Sequence, residues 1–146
     1  MQTIIYSCVN EKLKVLLIDD EVDFTELLAA NLMDSGFEVR QVNDPAKTVA
    51  VARGFRPDVC LIDLVMPDMD GGDVITALKK DSALSKTPIL MLTALIEENP
   101  DSPGEIQMRG GLPFLSKTSD LQTIIKGIKT QNSYKTRCAC HRIFLS

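Results

Sequence analysis

Six side chains in this chain could do phosphoryl chemistry if they met: Asp19, Asp20, Glu21, Asp63, Thr93 and Lys117. Each stands at the end of an apolar run. VLLIDDE closes on Asp19 and Asp20, VCLID on Asp63, ILMLT on Thr93 and PFLSK on Lys117. Carboxylates held close together raise one another's pKa, and a divalent cation removes that conflict. Magnesium prefers an octahedral shell of oxygens from one or two carboxylates, water and phosphate. The backbone carbonyl of Val65 could add a further oxygen. Thr93 and Lys117, on the far side of Asp63, would supply a hydroxyl and an ammonium for phosphoryl oxygens. Phosphoryl transfer asks mainly for in-line positioning and neutralised oxygen charge, and an aspartate can act as nucleophile to form an acyl phosphate. Asp63 has the surroundings for that role. Glu21 reads as a helix cap or a holder of water near the metal.

Something must bring these distant residues together. Apolar runs of this kind read as buried strands of a parallel sheet, and in open α/β sheets the crevice lies outside the strand carboxyl ends. Strand-like and helix-like patterns alternate from residue 13 to about residue 131, which implies βαβ units. The spacing predicts a strand over Lys14–Asp19 and then a helix with an apolar stripe of Phe24, Leu27, Leu28 and Leu32, stopped at Gly36. Phe37, Val39 and Val42 mark an edge strand. Asp44 and Pro45 open a short helix that Gly54 ends. Asp58–Asp63 is the third strand, Pro67–Gly72 a turn, and the helix after it buries Val74, Ile75 and Leu78. Ile89–Thr93 is the fourth strand. Pro100, Pro103 and Gly104 break the next segment, so a long loop and a short helix over Pro103–Arg109 are expected. Leu112–Leu115 is the fifth strand. Ser119 and Gln122 form a capping box for a last helix with Leu121, Ile124, Ile125 and Ile128 inward.

Composition narrows the function classes. The chain has 146 residues and suits one domain, with a formal net charge of −4 and a pI near 5.0. An acidic chain lacks the basic footprint of a nucleic-acid binder, so none is expected here. No apolar stretch reaches membrane-span length, and the start MQTIIYSCVNEK has no export pattern, so no membrane contact and a cytoplasmic location are expected. An acidic turn at Asp19–Glu21, where a dinucleotide fold would place glycines, argues against nucleotide binding. Cys60 reads as a core thiol. Cys138, Cys140 and His141 form a C-x-C-H cluster that lacks an evident fourth ligand, so a solvated, reduced tail is the expectation.

Together, LLIDDE, the block LIDLVMPDMDG, MLTA and FLSK make the chain resemble a response regulator receiver domain of two-component signalling. The resemblance spans 13–131, leaving 1–12 and 132–146 as terminal extensions. It implies a flavodoxin-like α/β fold, a five-stranded parallel sheet in the order 2-1-3-4-5 with helices on both faces. It implies magnesium held by Asp20 and Asp63, with Asp19 assisting and the Val65 carbonyl contributing. A histidine kinase or histidine phosphotransfer protein would donate the phosphoryl group to Asp63. Thr93 would then move toward it and Phe114 would rotate inward, remodelling the face read by a separate output protein. Such a domain is no enzyme beyond its own phosphorylation and dephosphorylation.

Three departures from the family matter. Thr118 stands where proline, often with a cis bond, follows the lysine; cis is rare without proline, so either the loop accepts it or takes another path. The fourth helix is broken. Val65 and Leu95 are apolar where the family tunes loss of the phosphoryl group, so slow self-dephosphorylation is expected. Val65 also weakens a metal-dependent phosphohydrolase reading, which wants a second aspartate there. A receiver-fold binding module that works without phosphorylation is the remaining alternative.

Overall fold

The apolar runs that end in the acidic residues, Thr93 and Lys117 become parallel neighbours in the computed structural model, which describes residues 12–96, 101 and 105–132. The elements are β1 (Lys14–Ile18), α1 (Val22–Asp34), β2 (Glu38–Val42), a 3-10 turn (Pro45–Lys47), α2 (Thr48–Phe55), β3 (Val59–Ile62), α3 (Gly71–Lys80), β4 (Ile89–Thr93), β5 (Gln107–Arg109), β6 (Leu112–Ser116) and a helix over 121–132, α4. The sheet order is β2-β1-β3-β4-β6-β5. All pairs are parallel except β5 with β6. The flavodoxin-like α/β fold therefore stands, with its five parallel strands in the expected order, and a sixth strand is added at the edge.

Period-two alternation divides the core into two layers. Leu16, Ile18, Cys60, Ile62, Met91 and Phe114 face Ala52, Phe55, Val74 and Leu78 of α2 and α3. Val15, Leu17, Val59, Leu61, Leu90, Leu92 and Leu115 face the other way, onto Leu28, Ala29 and Leu32 of α1 and Ile124, Ile125 and Ile128 of α4. Burying each such side chain is worth about 1.5–3 kcal/mol. Strands covered on both faces cannot slide without exposing one layer, which fixes the strand ends and hence the site.

Several local expectations are corrected. Leu27 is exposed, and Thr25 and Ala29 join the buried side of α1 instead. Helix α2 runs through Gly54 to Phe55, and Arg56 closes it in the left-handed region. Asp120, not Ser119, caps α4, accepting from the Thr123 N–H at 2.8 Å. The short helix expected over Pro103–Arg109 gives way to a hairpin. Gln107 pairs with Phe114 and Arg109 with Leu112, so Gly110 and Gly111 alone make the turn. Both have positive φ, 57° and 80°, as a primed two-residue turn requires. Residues 102–104, with Ser102 of the capping box expected between Ser102 and Glu105 and Pro103 just inside it, lie outside the described residues, as do Cys8 and the Cys138, Cys140 and His141 cluster.

Replacing Gly111 with valine forces a β-branched residue into left-handed backbone, which costs roughly 1–2 kcal/mol. A urea titration should show a loss of that size; no loss would speak against the hairpin.

Candidate functional site

Four strand carboxyl ends and the loops after them build one acidic concavity. Asp19 follows β1 and is fixed by its own N–H, which donates to the Val42 carbonyl at 3.1 Å. Asp63 follows β3, its N–H donating to the Ile18 carbonyl at 2.9 Å. Lys117 follows β6, its N–H donating to the Thr93 carbonyl at 2.9 Å. Backbone ladders thus continue past each strand and hold the three chemical residues in register. Asp20 is half-buried beside them, and carboxylate oxygens of Asp19, Asp20 and Asp63 lie within 4.8 Å of one another.

The Lys117 ammonium sits among the carboxylates. Its Nζ lies 2.6 Å from Asp19 Oδ2, 2.8 Å from Glu21 Oε1 and 3.2 Å from Asp63 Oδ2. It also stands 4.8 Å from the centre of the Phe24 ring, a favourable cation–π distance. Burial pulls the ammonium's pKa down, but its bonds to Asp19 and Glu21 and the charges around it outweigh burial and hold it above its ordinary value. Burial acts the other way on the acids. It pushes Asp63 and Asp19 above the usual carboxylate value, against the lowering effect of Lys117.

The donor set fits a hard divalent cation. Three clustered carboxylates against one ammonium leave surplus negative charge, and the available atoms are oxygens, which magnesium prefers. Val65 lies in the loop after β3 with its side chain exposed; its N–H points at Asp63 Oδ1 over 3.5 Å.

Thr93 and Phe114 are placed differently. Thr93 is buried at the end of β4, and its Oγ1 accepts from the Leu95 N–H at 3.2 Å. Among the described residues no hydrogen bond joins that hydroxyl to Asp63 or Lys117. Phe114 is already buried in the layer with Met91 and Ile96. The loop past Lys117 takes a path without a cis bond. Thr118 donates its N–H to Ser116 Oγ at 3.1 Å, and the two hydroxyls lie 2.7 Å apart. Lys117 therefore reaches Asp63 although Thr118 replaces proline.

Two residues enter the site that the spacing did not single out for these roles. Asn43 Nδ2 donates to the Asp19 carbonyl at 2.8 Å and to Thr25 Oγ1 at 2.9 Å, tying the β1 end to α1. Glu21 occupies the N-cap position of α1 but makes no side-chain cap bond; its carboxylate is on Lys117. Gly71 matters by absence. A Cβ there would stand 2.6 Å from the Asp63 carbonyl oxygen and 2.9 Å from Met91 Cε.

The pattern that defines the response regulator receiver domain matches residues 15–129. The chain belongs to that family. It is 32% identical over 115 residues to the protein PilH of Pseudomonas aeruginosa, of which it covers 93%. It is 31% identical over 122 residues to the DNA-binding dual master transcriptional regulator RpaA of Synechocystis, and there it spans only 47% of the relative's length. Among solved structures, the chemotaxis protein CheY4 of Vibrio cholerae superimposes with a TM-score of 0.69 at 31% identity, covering 83% of this chain and 99% of CheY4. Receiver domains of two-component systems bind magnesium at an acidic pocket, and the Asp19, Asp20 and Asp63 cluster could hold a metal ion. Among the described residues no helix is long and apolar enough to cross a membrane.

Two outcomes follow from this geometry. Gly71→Ala should cost about 1–3 kcal/mol from overpacking, seen as a lowered urea midpoint, because backbone at Asp63 must move. Asp63→Asn should raise the melting temperature by a few degrees at pH 7 in EDTA. The folded-state pKa of Asp63 is raised above 3.8, so its contribution to stability is present at low pH and lost as pH rises through that value. The advantage of the neutral variant should thus be full at pH 7 and fade as pH falls toward 3.8.

Proposed function

We propose that this receiver accepts a phosphoryl group on Asp63 from a phosphohistidine of a histidine kinase or histidine phosphotransfer protein, in a magnesium-dependent reaction, and signals to a separate output protein. The observation that carries the reading is one ammonium, Lys117, held 3.2 Å from Asp63 Oδ2 beside three carboxylates clustered within 4.8 Å. A carboxylate nucleophile, a cation on one side and an acidic nest on the other are what transfer to oxygen needs.

In the step itself, an Asp63 carboxylate oxygen attacks phosphorus. The P–N bond breaks, and the imidazole leaves with its electron pair. Lys117 neutralises a phosphoryl oxygen. Asp20 and Asp63 would hold the magnesium, with Asp19 assisting and the Val65 carbonyl as a further oxygen. Bound there, the ion would offset the charge on the phosphoryl oxygens. Thr93 would exchange its bond with the Leu95 N–H for one to a phosphoryl oxygen. Phe114, already packed inward, would respond by a shift within its layer rather than by entry from solvent. Two packed states biased by one new charged contact suffice for a switch.

The domain boundaries proposed are 13–131, with 1–12 and 132–146 as extensions, and this domain is proposed to be cytoplasmic and itself to bind neither nucleic acid nor membrane. Val65 and Leu95, 57% and 67% exposed, border the site and offer no group to orient water. Self-dephosphorylation is accordingly slow.

Acetyl phosphate with magnesium should add one phosphoryl unit by intact mass to the wild type and none to Asp63→Asn. No gain by the wild type would favour a receiver-fold binding module acting without phosphorylation. Once phosphorylated, a Val65→Asn, Leu95→Gln protein should lose the group several-fold faster than wild type when followed by the same measurement.

A further inference from the structure

Resting on the reading of Asp63 as phosphoacceptor, we propose that Glu21 is the exchangeable partner of Lys117, a positioning residue whose carboxylate competes with the incoming phosphoryl group for the ammonium. An ammonium has three N–H donors and no acceptor. In this structure all three have a carboxylate within reach: Asp19, Glu21 and Asp63. A phosphoryl oxygen can gain a bond to Lys117 only where one of these contacts yields.

Burial decides which one yields. The Asp19 and Asp63 side chains are each 6% exposed, whereas Glu21 is 61% exposed. Removing the ammonium from a buried carboxylate leaves an unpaired charge out of water, which is strongly unfavourable. Releasing an exposed glutamate returns it to solvent at little cost. Among the described residues no other bond holds the Glu21 carboxylate: Glu21 stands at the N-cap of α1 without a side-chain cap bond. Phe24, one turn into the same helix, keeps the ammonium over its ring as the partner changes. Glu21 therefore holds Lys117 in place while the site is unphosphorylated and gives way to the phosphoryl oxygen.

The sign of the effect separates this role from others. A glutamate that holds metal or merely supports the loop makes phosphorylation worse when it is neutralised. A competitor makes it better. The test uses the full chain with saturating magnesium and varied acetyl phosphate, following the initial rate by intact mass. There Asp63 attacks phosphorus, the P–O bond to acetate breaks and acetate leaves with the electron pair. Glu21→Gln should lower the half-saturating acetyl phosphate concentration by roughly two- to fivefold, the worth of an exposed ion pair, with the plateau rate unchanged. Glu21→Asp, whose carboxylate is one methylene too short, should fall between the two. Magnesium affinity by calorimetry should stay nearly the same.

An unchanged or raised half-saturating concentration in Glu21→Gln would overturn the proposal. So would a Glu21→Asp protein that matches wild type beside an improved Glu21→Gln, since bulk charge would then explain the gain. A fall in magnesium affinity of about tenfold or more, the size expected when support of a metal ligand is lost, would assign Glu21 to the metal instead. A wild type that gains no phosphoryl unit removes the phosphoacceptor reading and this inference with it, and is told apart from the other outcomes by that single mass measurement.

Discussion

One buried ammonium closes this end of the sheet. Lys117 bonds to carboxylates that follow β1 and β3 and, through its own backbone, to the end of β4. Asp19 and Asp63 are buried acids whose ionised forms are disfavoured by desolvation. Without a cation among them the concavity would relax by protonation or by spreading the loops apart. The lysine therefore holds this concavity together through three ion pairs. A site assembled around a single positive charge is also a site that senses any new negative charge placed there.

Strands and their polar ends were legible because a parallel strand covered on both faces must be an uninterrupted apolar run. Such a run stops where the chain reaches the crevice. Asp19, Asp63, Thr93 and Lys117 could be located by that rule alone, and their meeting follows from topology. Less visible were features decided by competition. Leu27 fits a helical stripe as well as Ala29 does, but a 13-residue helix packed on one face of a sheet buries only one narrow stripe, here Thr25, Leu28, Ala29 and Leu32. Ser119 and Asp120 are both good caps, and the carboxylate won the Thr123 N–H. The hairpin carried its own signal in Gly110–Gly111, masked by the prolines and the capping pattern just before it. Glu21 on Lys117 and Asn43 on the Asp19 carbonyl join residues 96 and 24 positions apart. No local pattern announces such partners.

Kinship and structure agree on the core and part company at one edge. The CheY4 likeness covers nearly all of that protein, and the two core layers here follow from the same alternation of helices across a parallel sheet. On the β6 side, however, a hairpin strand stands where the family resemblance implied a regular helix. Surfaces used by relatives at that edge are consequently a poor guide to this chain, whereas Asp19, Asp63 and Lys117 directly follow the parallel strands β1, β3 and β6.

That added strand has a consequence for how the protein behaves when crowded. β6 is apolar from Leu112 to Leu115, and an uncovered ribbon of this kind invites a neighbour's backbone to zip onto it. β5 occupies its outer side over Leu112–Phe114. With three residues and an arginine at its end, β5 is itself too short and too charged to be a good template. The sheet thus carries its own terminator, and high concentrations in a cell need not seed filaments from this edge.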